Sequence, residues 1–303
     1  MLSVNVLNIL NSMKSILKFF FTAAFFVAFF SCKKDIATTS NNQVVSAENS
    51  NATSPVNTIG RQQVISLRTG DPTYKTSQSL LWVPHLYQQN NKTKTRFPLI
   101  INLYGQGQNG NDLSLMFQDN TMCSYIANGF NATAKNPVDK ETYSFFVFSP
   151  QCPAAWGWSA PQVYTMLEEL KEKFPIDTTR IYITGFSSGG WGLWSCITDN
   201  DNLTKQFAAI VPISSAAADH PDEITNVDKY GIACLSVCGD QDAFYTNAVN
   251  YTNIINENNP PIPAVLNTLK GVGHSAWVQA YDPKWKKNKG LNIYEWMLQY
   301  QRK

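Results

Sequence analysis

Residues 181–190 of this 303-residue chain read IYITGFSSGG, and this stretch decides the fold. Its first four residues are apolar or β-branched, which is typical of a buried strand. Gly185 and Gly189 frame Ser187, and the next helix is predicted to begin at about Ser188. A strand that passes through a glycine-flanked turn into a helix is the basic connection of a sheet built from alternating strands and helices.

The same alternation continues on both sides of this stretch. We predict strands at residues 80–83, 98–103, 145–149, 181–184, 208–212, 232–237 and 264–269, and helices at 161–174, from 188, around 245–255 and at 293–299. Apolar strands that are each followed by a helix predict an α/β fold, with a mainly parallel sheet and helices on both faces. Ligands of such sheets bind outside the carboxyl ends of the strands, so we expect the functional residues there.

Ser187 is the predicted nucleophile. The motif Gly-x-Ser-x-Gly lies here between a strand and a helix, which is the setting that a nucleophile elbow requires. The sharp turn strains the serine backbone, and side chains at positions 185 and 189 would collide with the neighbouring strand and helix. The helix N-terminus directs free N–H groups at a developing oxyanion, with the Ser188 amide as first donor. The alternative is a glycine–serine turn without chemistry.

The predicted general base is found by elimination among His85, His220 and His274. In α/β-hydrolases the triad runs along the chain as serine, acid and histidine, which excludes His85. No aspartate between Ser187 and His220 follows a predicted strand. His274 lies just beyond the strand predicted at 264–269, and imidazole has a suitable pKa to take and return a proton near neutrality.

The base needs a carboxylate that orients it and stabilises its charged form. The strand predicted at 232–237 is followed by Cys238, Gly239, Asp240, Gln241 and Asp242. Either aspartate could reach His274 from this position. The other one would then form a turn or cap the next helix.

Residues 103–112 read LYGQGQNGND and follow the apolar strand predicted at 98–103. They lie where α/β-hydrolases carry a His-Gly loop whose backbone N–H donates the second bond to the oxyanion. The resemblance implies Gln106 as this donor, with Gly107 next. Tyr104 stands where the histidine is usual, but a backbone donor does not depend on that side chain.

Residues 80–298 resemble bacterial esterases grouped with feruloyl esterases, acetylxylan esterases and polyhydroxybutyrate depolymerases, some labelled predicted peptidases. The matching segments are residues 150–153, Trp156, Trp158, Asp177, Arg180, residues 273–277, Tyr281 and residues 295–297. This resemblance implies a triad of Ser187, Asp242 and His274, since Gly-x-x-Asp after the strand places the acid. It also implies attack on an ester carbonyl and an acyl-enzyme that water then hydrolyses.

Trp158, Trp191 and Trp277 are predicted to bind substrate, because they lie in or near loops around the expected site. Flat aromatic faces can stack on sugar rings or on a phenolic acyl group, although such residues also serve in core packing. Together with the predicted export of the protein, these tryptophans favour acyl esters of polysaccharides or other small esters as substrates. The rival hypotheses are a peptidase or lipase on the same fold, and a non-catalytic glycan-binding lipoprotein.

The N-terminal segment is predicted to direct export. Lys14 and Lys18 precede an apolar run at residues 19–30, which suits the central region of a signal peptide but is short for a membrane span. Ser31 and Cys32 then resemble a bacterial lipobox, so we predict lipidation of Cys32 and a signal peptide at residues 1–32. The alternatives are an ordinary signal peptide or a single anchor helix, and Met13 is an alternative start.

Residues 33–60 are rich in Ser, Thr and Asn, which predicts a flexible tether before a single domain at residues 61–303. The localisation predicted from these segments is the cell envelope, in the periplasm or on the outer-membrane surface. Membrane contact is expected only through the lipid anchor. Five cysteines follow Cys32, and this odd number predicts buried free thiols rather than a complete disulfide framework.

Composition argues against other classes of function. The net charge is +2 and the cationic residues are scattered, so no nucleic-acid partner is expected. The sequence has no metal-ligand cluster and no phosphate-binding loop, so no metal and no cofactor are predicted.

Overall fold

The computed structural model describes residues 56–91, 94–154 and 157–303. The predicted signal peptide, Cys32 and most of the predicted tether lie outside these ranges. The strands are β1 (Thr58–Ile59), β2 (Gln62–Arg68), β3 (Thr76–Trp82), β4 (Phe97–Leu103), β5 (Thr133–Lys135), β6 (Thr142–Ser144), β7 (Phe146–Pro150), β8 (Ile176–Phe186), β9 (Phe207–Ile213), β10 (Ala233–Gly239) and β11 (Val265–Leu269).

The helices are α1 (His85–Gln89), α2 (Met122–Ala127), α3 (Ala160–Lys173), α4 (Ser188–Thr198), α5 (Asp201–Thr204), α6 (Asn226–Lys229), α7 (Tyr245–Asn256), α8 (Trp277–Ala280) and α9 (Ile293–Met297). Two 3₁₀ segments occupy Leu113–Asn120 and Pro221–Thr225. None of the helices in the described ranges is long and apolar enough to cross a bilayer.

In the described part of the chain, nine strands form one sheet in the order β1-β2-β3-β7-β4-β8-β9-β10-β11. From β7 to β11 all neighbours are parallel, whereas β1, β2 and β3 continue the sheet with antiparallel pairings. The predicted α/β architecture with a mainly parallel sheet is confirmed. Every residue of β4, β9 and β10 is buried, as expected for strands covered on both faces.

Two details at the start of the sheet differ from the sequence prediction. The tether was predicted to extend to residue 60, but Thr58–Ile59 pairs with Gln62–Gln63 as β1. Gly60 and Arg61 form the turn between them, both with positive φ. β2 was not predicted, because its buried positions are widely spaced and do not give a regular alternation.

Among the described residues, five cysteines are free and buried, which confirms the predicted thiols: Cys123, Cys152, Cys196, Cys234 and Cys238. Burial raises the pKa of the Cys123 thiol to about 11 and that of Cys234 to about 12. These side chains therefore pack as small apolar groups in the core.

Candidate active site

Ser187 lies in the turn between β8 and α4 and has φ 54° and ψ −122°. This region of φ is unfavourable for any residue with a Cβ, so the surrounding structure has to hold the turn. The Ser187 amide donates to the Ile213 carbonyl at 3.2 Å, and the Ser187 carbonyl accepts from the Ala216 amide at 3.0 Å. The end of β9 and the residues after it therefore fix the strained backbone.

The two glycines of the motif leave room for this turn. A Cβ at Gly185 would overlap the carbonyl of Gly189, and a Cβ at Gly189 would overlap the carbonyls of Leu103 and Tyr104. The turn thus packs against itself and against the end of β4 without space for side chains. This agrees with the steric reason for glycine at both positions.

His274 lies in the loop after β11, and its Nε2 is 2.9 Å from Ser187 Oγ. Its Nδ1 is 3.1 Å from Oδ1 and 3.0 Å from Oδ2 of Asp242. A carboxylate only accepts hydrogen bonds, so Nδ1 carries the proton and Nε2 presents its lone pair to the serine hydroxyl. The structure therefore brings Ser187, His274 and Asp242 together in one hydrogen-bonded chain at the carboxyl ends of β8, β10 and β11.

The Asp242 side chain is fully buried, and its carboxylate is surrounded by donors. Its Oδ1 accepts from the Phe244 amide at 3.0 Å, and the Cys238 thiol lies 3.6 Å from Oδ2. Burial opposes ionisation, but the hydrogen bonds from His274 and from the Phe244 amide outweigh it and lower the pKa of Asp242 to about 2. The group beside His274 is therefore a carboxylate at neutral pH.

The other candidate acid and the other histidines lie elsewhere. Asp240 accepts from the Gly271 amide at 2.8 Å and so closes the turn between the loops after β10 and β11. His85 is at the start of α1 and packs its ring edge against Trp82, while His220 is exposed, 4.0 Å from Asp199. Of the two aspartates that the residues alone left open, Asp242 is the one that contacts His274.

The loop after β4 lies directly against the nucleophile. A Cβ at Gly105 would be 3.2 Å from the Ser187 Cβ and 2.6 Å from the Phe186 ring. Within the described part of the chain, no acceptor receives a hydrogen bond from the amide of Ser188 or that of Gln106. Both amides are therefore available to a ligand oxygen, as a pair of oxyanion donors has to be.

A buried network that the sequence did not predict holds this loop. The Gln151 side-chain amide, just beyond β7, donates to the carbonyls of Gln108 at 2.8 Å and Asp112 at 2.7 Å. The Tyr104 hydroxyl donates to the Cys152 carbonyl at 2.9 Å and accepts from the Cys152 amide. Tyr104, which stands where a histidine is usual, thus anchors the loop to the segment after β7.

Trp158 is a correction to the predicted substrate-binding residues. It is 2% exposed and belongs to the hydrophobic core, so its ring cannot stack on a ligand. Its carbonyl lies close to Gly192 of α4, which places residue 158 beneath the helix rather than on the rim. Trp156 lies outside the described residues.

Trp277 contacts His274 directly, and Trp191 lines a cavity together with Phe244, which contacts His274. The Trp191 indole donates to Asp219 Oδ2 at 2.9 Å, on the side where Phe244 packs its ring 5.3 Å from that of His274. The Trp277 ring lies 5.3 Å from the His274 ring and stacks on Phe186 at 4.7 Å.

Phe186 and Phe244 were not predicted as parts of the site. Phe186 directly precedes the nucleophile and Phe244 lies two residues after the acid, and these positions in the sequence could have predicted both. Phe244 and Trp277 contact the imidazole ring directly, and Phe186 packs against Trp277. No group of three or more His, Cys, Asp or Glu side chains that could hold a metal ion occurs in ranges 56–91, 94–154 and 157–303.

The parallel sheet, the turn at Ser187 and the chain order of serine, aspartate and histidine define the α/β-hydrolase fold. Solved structures with this fold are similar to the chain. One is a thermostable esterase, with a TM-score of 0.61 and 21% identity over 80% of this chain and 64% of that chain, so this chain spans less than two thirds of that protein.

A ferulic acid esterase has a TM-score of 0.52 and 14% identity, covering 78% of this chain and 99% of that chain. The S-formylglutathione hydrolase FrmB of Staphylococcus aureus has a TM-score of 0.53 and 17% identity, with the same coverage of both chains. At these identities the likeness establishes the fold. No family model and no curated protein matches the sequence.

Proposed function

We propose that this protein is a serine hydrolase that cleaves carboxylic esters through an acyl-enzyme. The observation that carries the proposal is the continuous chain of hydrogen bonds from buried Asp242 through His274 to Ser187 Oγ. A serine hydroxyl is a weak nucleophile by itself, and a base within 3 Å that is oriented by a carboxylate is the arrangement that activates it.

The reaction follows from this geometry in two halves. His274 Nε2 takes the Ser187 proton as Oγ attacks the carbonyl carbon, and the carbonyl oxygen is stabilised by the amides of Ser188 and Gln106. The imidazolium, stabilised by Asp242, then gives its proton to the leaving alkoxide, and the bond between carbon and that oxygen breaks. His274 next takes a proton from water as the water oxygen attacks the acyl carbon. The bond between that carbon and Oγ then breaks, His274 gives the proton to Oγ, and the acid is released.

We propose further that the protein acts outside the cytoplasm on acyl groups of polysaccharides or on other small esters. The apolar run at residues 19–30 and Cys32 support export and lipid anchoring. The half-buried indoles of Trp191 and Trp277 beside the triad offer faces for sugar rings or aryl groups. The lipid anchor is tested by the mass of the exported protein. We expect a shift in mass that is sensitive to globomycin in wild type and is absent in Cys32→Ala.

Ser187→Ala tests the enzymatic proposal. We expect hydrolysis of 4-nitrophenyl acetate to fall by at least about 10⁴-fold and labelling by a fluorophosphonate probe to disappear, with the melting temperature retained. The matched control is Ser215→Ala, which removes a hydroxyl near the turn that donates to the Ala216 carbonyl. Full labelling of Ser187→Ala would refute the nucleophile, and turnover of peptides with no turnover of esters would replace the esterase by a peptidase.

A further inference from the structure

A cavity of about 490 Å³ opens beside the nucleophile. Its lining residues are Trp191, Ala216, Ala217, Asp219 and Phe244. They come from the first turn of α4, the segment after β9 and the segment after β10. Three separate parts of the fold therefore converge on one space next to the triad.

Two of the lining residues contact members of the triad. The Ala216 amide, in its wall, donates to the Ser187 carbonyl at 3.0 Å. The Phe244 ring, which also lines the cavity, packs 5.3 Å from the His274 ring. Trp277, whose ring also lies 5.3 Å from that of His274, is stacked on Phe186 at 4.7 Å and does not line the cavity. The cavity is thus next to Ser187 through Ala216 and next to His274 through Phe244.

The chemistry of the walls restricts what can bind. Two aromatic rings and two alanine methyl groups provide an apolar slot, which suits a flat apolar group. Asp219 has two effects at the rim. One carboxylate oxygen accepts from the Trp191 indole at 2.9 Å and fixes that wall, and the negative charge disfavours an anionic ligand.

We propose that this cavity receives the acyl group of the substrate and selects acyl groups that are flat, apolar and uncharged. The inference rests on the proposed function. The acyl group stays bonded to Ser187 through both halves of the reaction, whereas the alcohol leaves after the first, so a cavity against the serine backbone serves the acyl group. When Oγ bonds to the carbonyl carbon, its proton passes to His274 and then to the alkoxide whose bond breaks.

The test compares 4-nitrophenyl esters that share one alcohol and differ in the acyl group: acetyl, benzoyl and 4-carboxybenzoyl. Ala217→Phe adds a ring to the slot, and we expect it to lower the ratio of benzoyl to acetyl kcat/KM by at least about tenfold. The intrinsic reactivities of the esters cancel when variant and wild type are compared. Trp191→Leu, which opens the same wall, tests the inference again if Ala217→Phe does not fold.

Asp219→Asn tests the charge, because the amide oxygen can still accept from the Trp191 indole. We expect the ratio of 4-carboxybenzoyl to benzoyl kcat/KM to rise by about threefold or more. Asp222→Asn, an exposed carboxylate in the 3₁₀ segment after the cavity, is the control and leaves both ratios unchanged.

Unchanged acyl ratios in Ala217→Phe and Trp191→Leu would overturn the inference. The inference would also be overturned if these variants changed the ratio of kcat/KM for phenyl acetate to that for methyl acetate and left the acyl ratios unchanged, because the two acetates differ only in the alcohol. Either result leaves ester turnover by wild type intact, so it differs from failure of the proposed function, in which wild type neither hydrolyses these esters nor binds a fluorophosphonate.

Discussion

Replacing Asp242 with asparagine removes the charge beside His274 and keeps the size of the side chain. Folding lowers the pKa of Asp242 from its ordinary value of 3.8 to about 2, against the effect of burial. A shift of that size corresponds to about 2 kcal/mol of interaction that favours the carboxylate. The hydrogen bond to His274 is the largest of the favourable causes, and the imidazole gains positive charge in the transition state, so the variant loses a stabilisation of this order.

That electrostatic loss alone predicts a decrease of about 30-fold in kcat. The amide has a second effect, because its N–H₂ group can turn toward Nδ1 and favour the tautomer with the proton on Nε2. His274 then cannot accept the Ser187 proton. The two effects together predict a decrease of about 10³- to 10⁴-fold in kcat for 4-nitrophenyl acetate.

Asp240→Asn is the matched control, because that carboxylate bonds to the Gly271 amide and does not contact His274. We expect its kcat to stay within about threefold of wild type. Activity of Asp242→Asn within tenfold of wild type, or a larger loss in Asp240→Asn, would refute the assignment of the acid.

The same substitution predicts a dependence of stability on pH. Because the pKa of Asp242 is lower in the folded than in the unfolded protein, its carboxylate stabilises the fold above about pH 4, and this contribution is lost as the pH falls toward 2. The difference in unfolding free energy between wild type and Asp242→Asn, measured with urea, should therefore shrink over that interval.

Two further substitutions test the groups around the triad. Gln151→Leu keeps the volume of a buried side chain but removes both donors to the loop at residues 105–112, so we expect kcat to fall by about tenfold or more with little change in KM. Trp277→Phe keeps an aromatic ring beside His274 and removes the indole bond to the Asp119 carbonyl; we expect a decrease of about three- to tenfold in kcat, measured with a pH profile.

Controls for these substitutions lie elsewhere in the same structure. Gln78→Leu changes an exposed glutamine side chain of β3, and its kcat should match wild type. Trp285→Phe removes a half-buried indole beyond α8, with the same expectation. A loss in Gln151→Leu that appears wholly in KM would contradict a role in the oxyanion loop, and an unchanged kcat in Trp277→Phe would remove Trp277 from the positioning of His274.

The sequence was sufficient to predict the sheet and the serine–histidine pair because local signals are strong there. The strand, the two glycines and the helix around Ser187 stand next to each other in the chain, and only one histidine followed a suitable strand. The choice between Asp240 and Asp242 depended on which carboxylate turns inward. The residues alone do not state this, since both occupy the same turn and differ only in their partners.

The predicted substrate-binding tryptophans show the opposite situation. Trp158 precedes α3 and Trp191 lies in the first turn of α4, and both were predicted to face the substrate, yet Trp158 is buried and Trp191 borders a cavity. Whether a loop side chain points inward or outward depends on packing against residues distant in the sequence, and no local periodicity predicts it. The anchoring of the loop by Gln151 was missed for the same reason, because its acceptors lie about 40 residues away.

The positive φ of Ser187 means that the residue needed for catalysis is not the residue that is most stable at this position. Such a conformation costs on the order of 1–3 kcal/mol for a residue with a side chain, and glycine adopts it freely. Exchange of this serine for glycine would thus leave an inert protein that is harder to unfold. Selection for heat resistance alone would therefore favour glycine at this position and remove the hydroxyl that turnover needs.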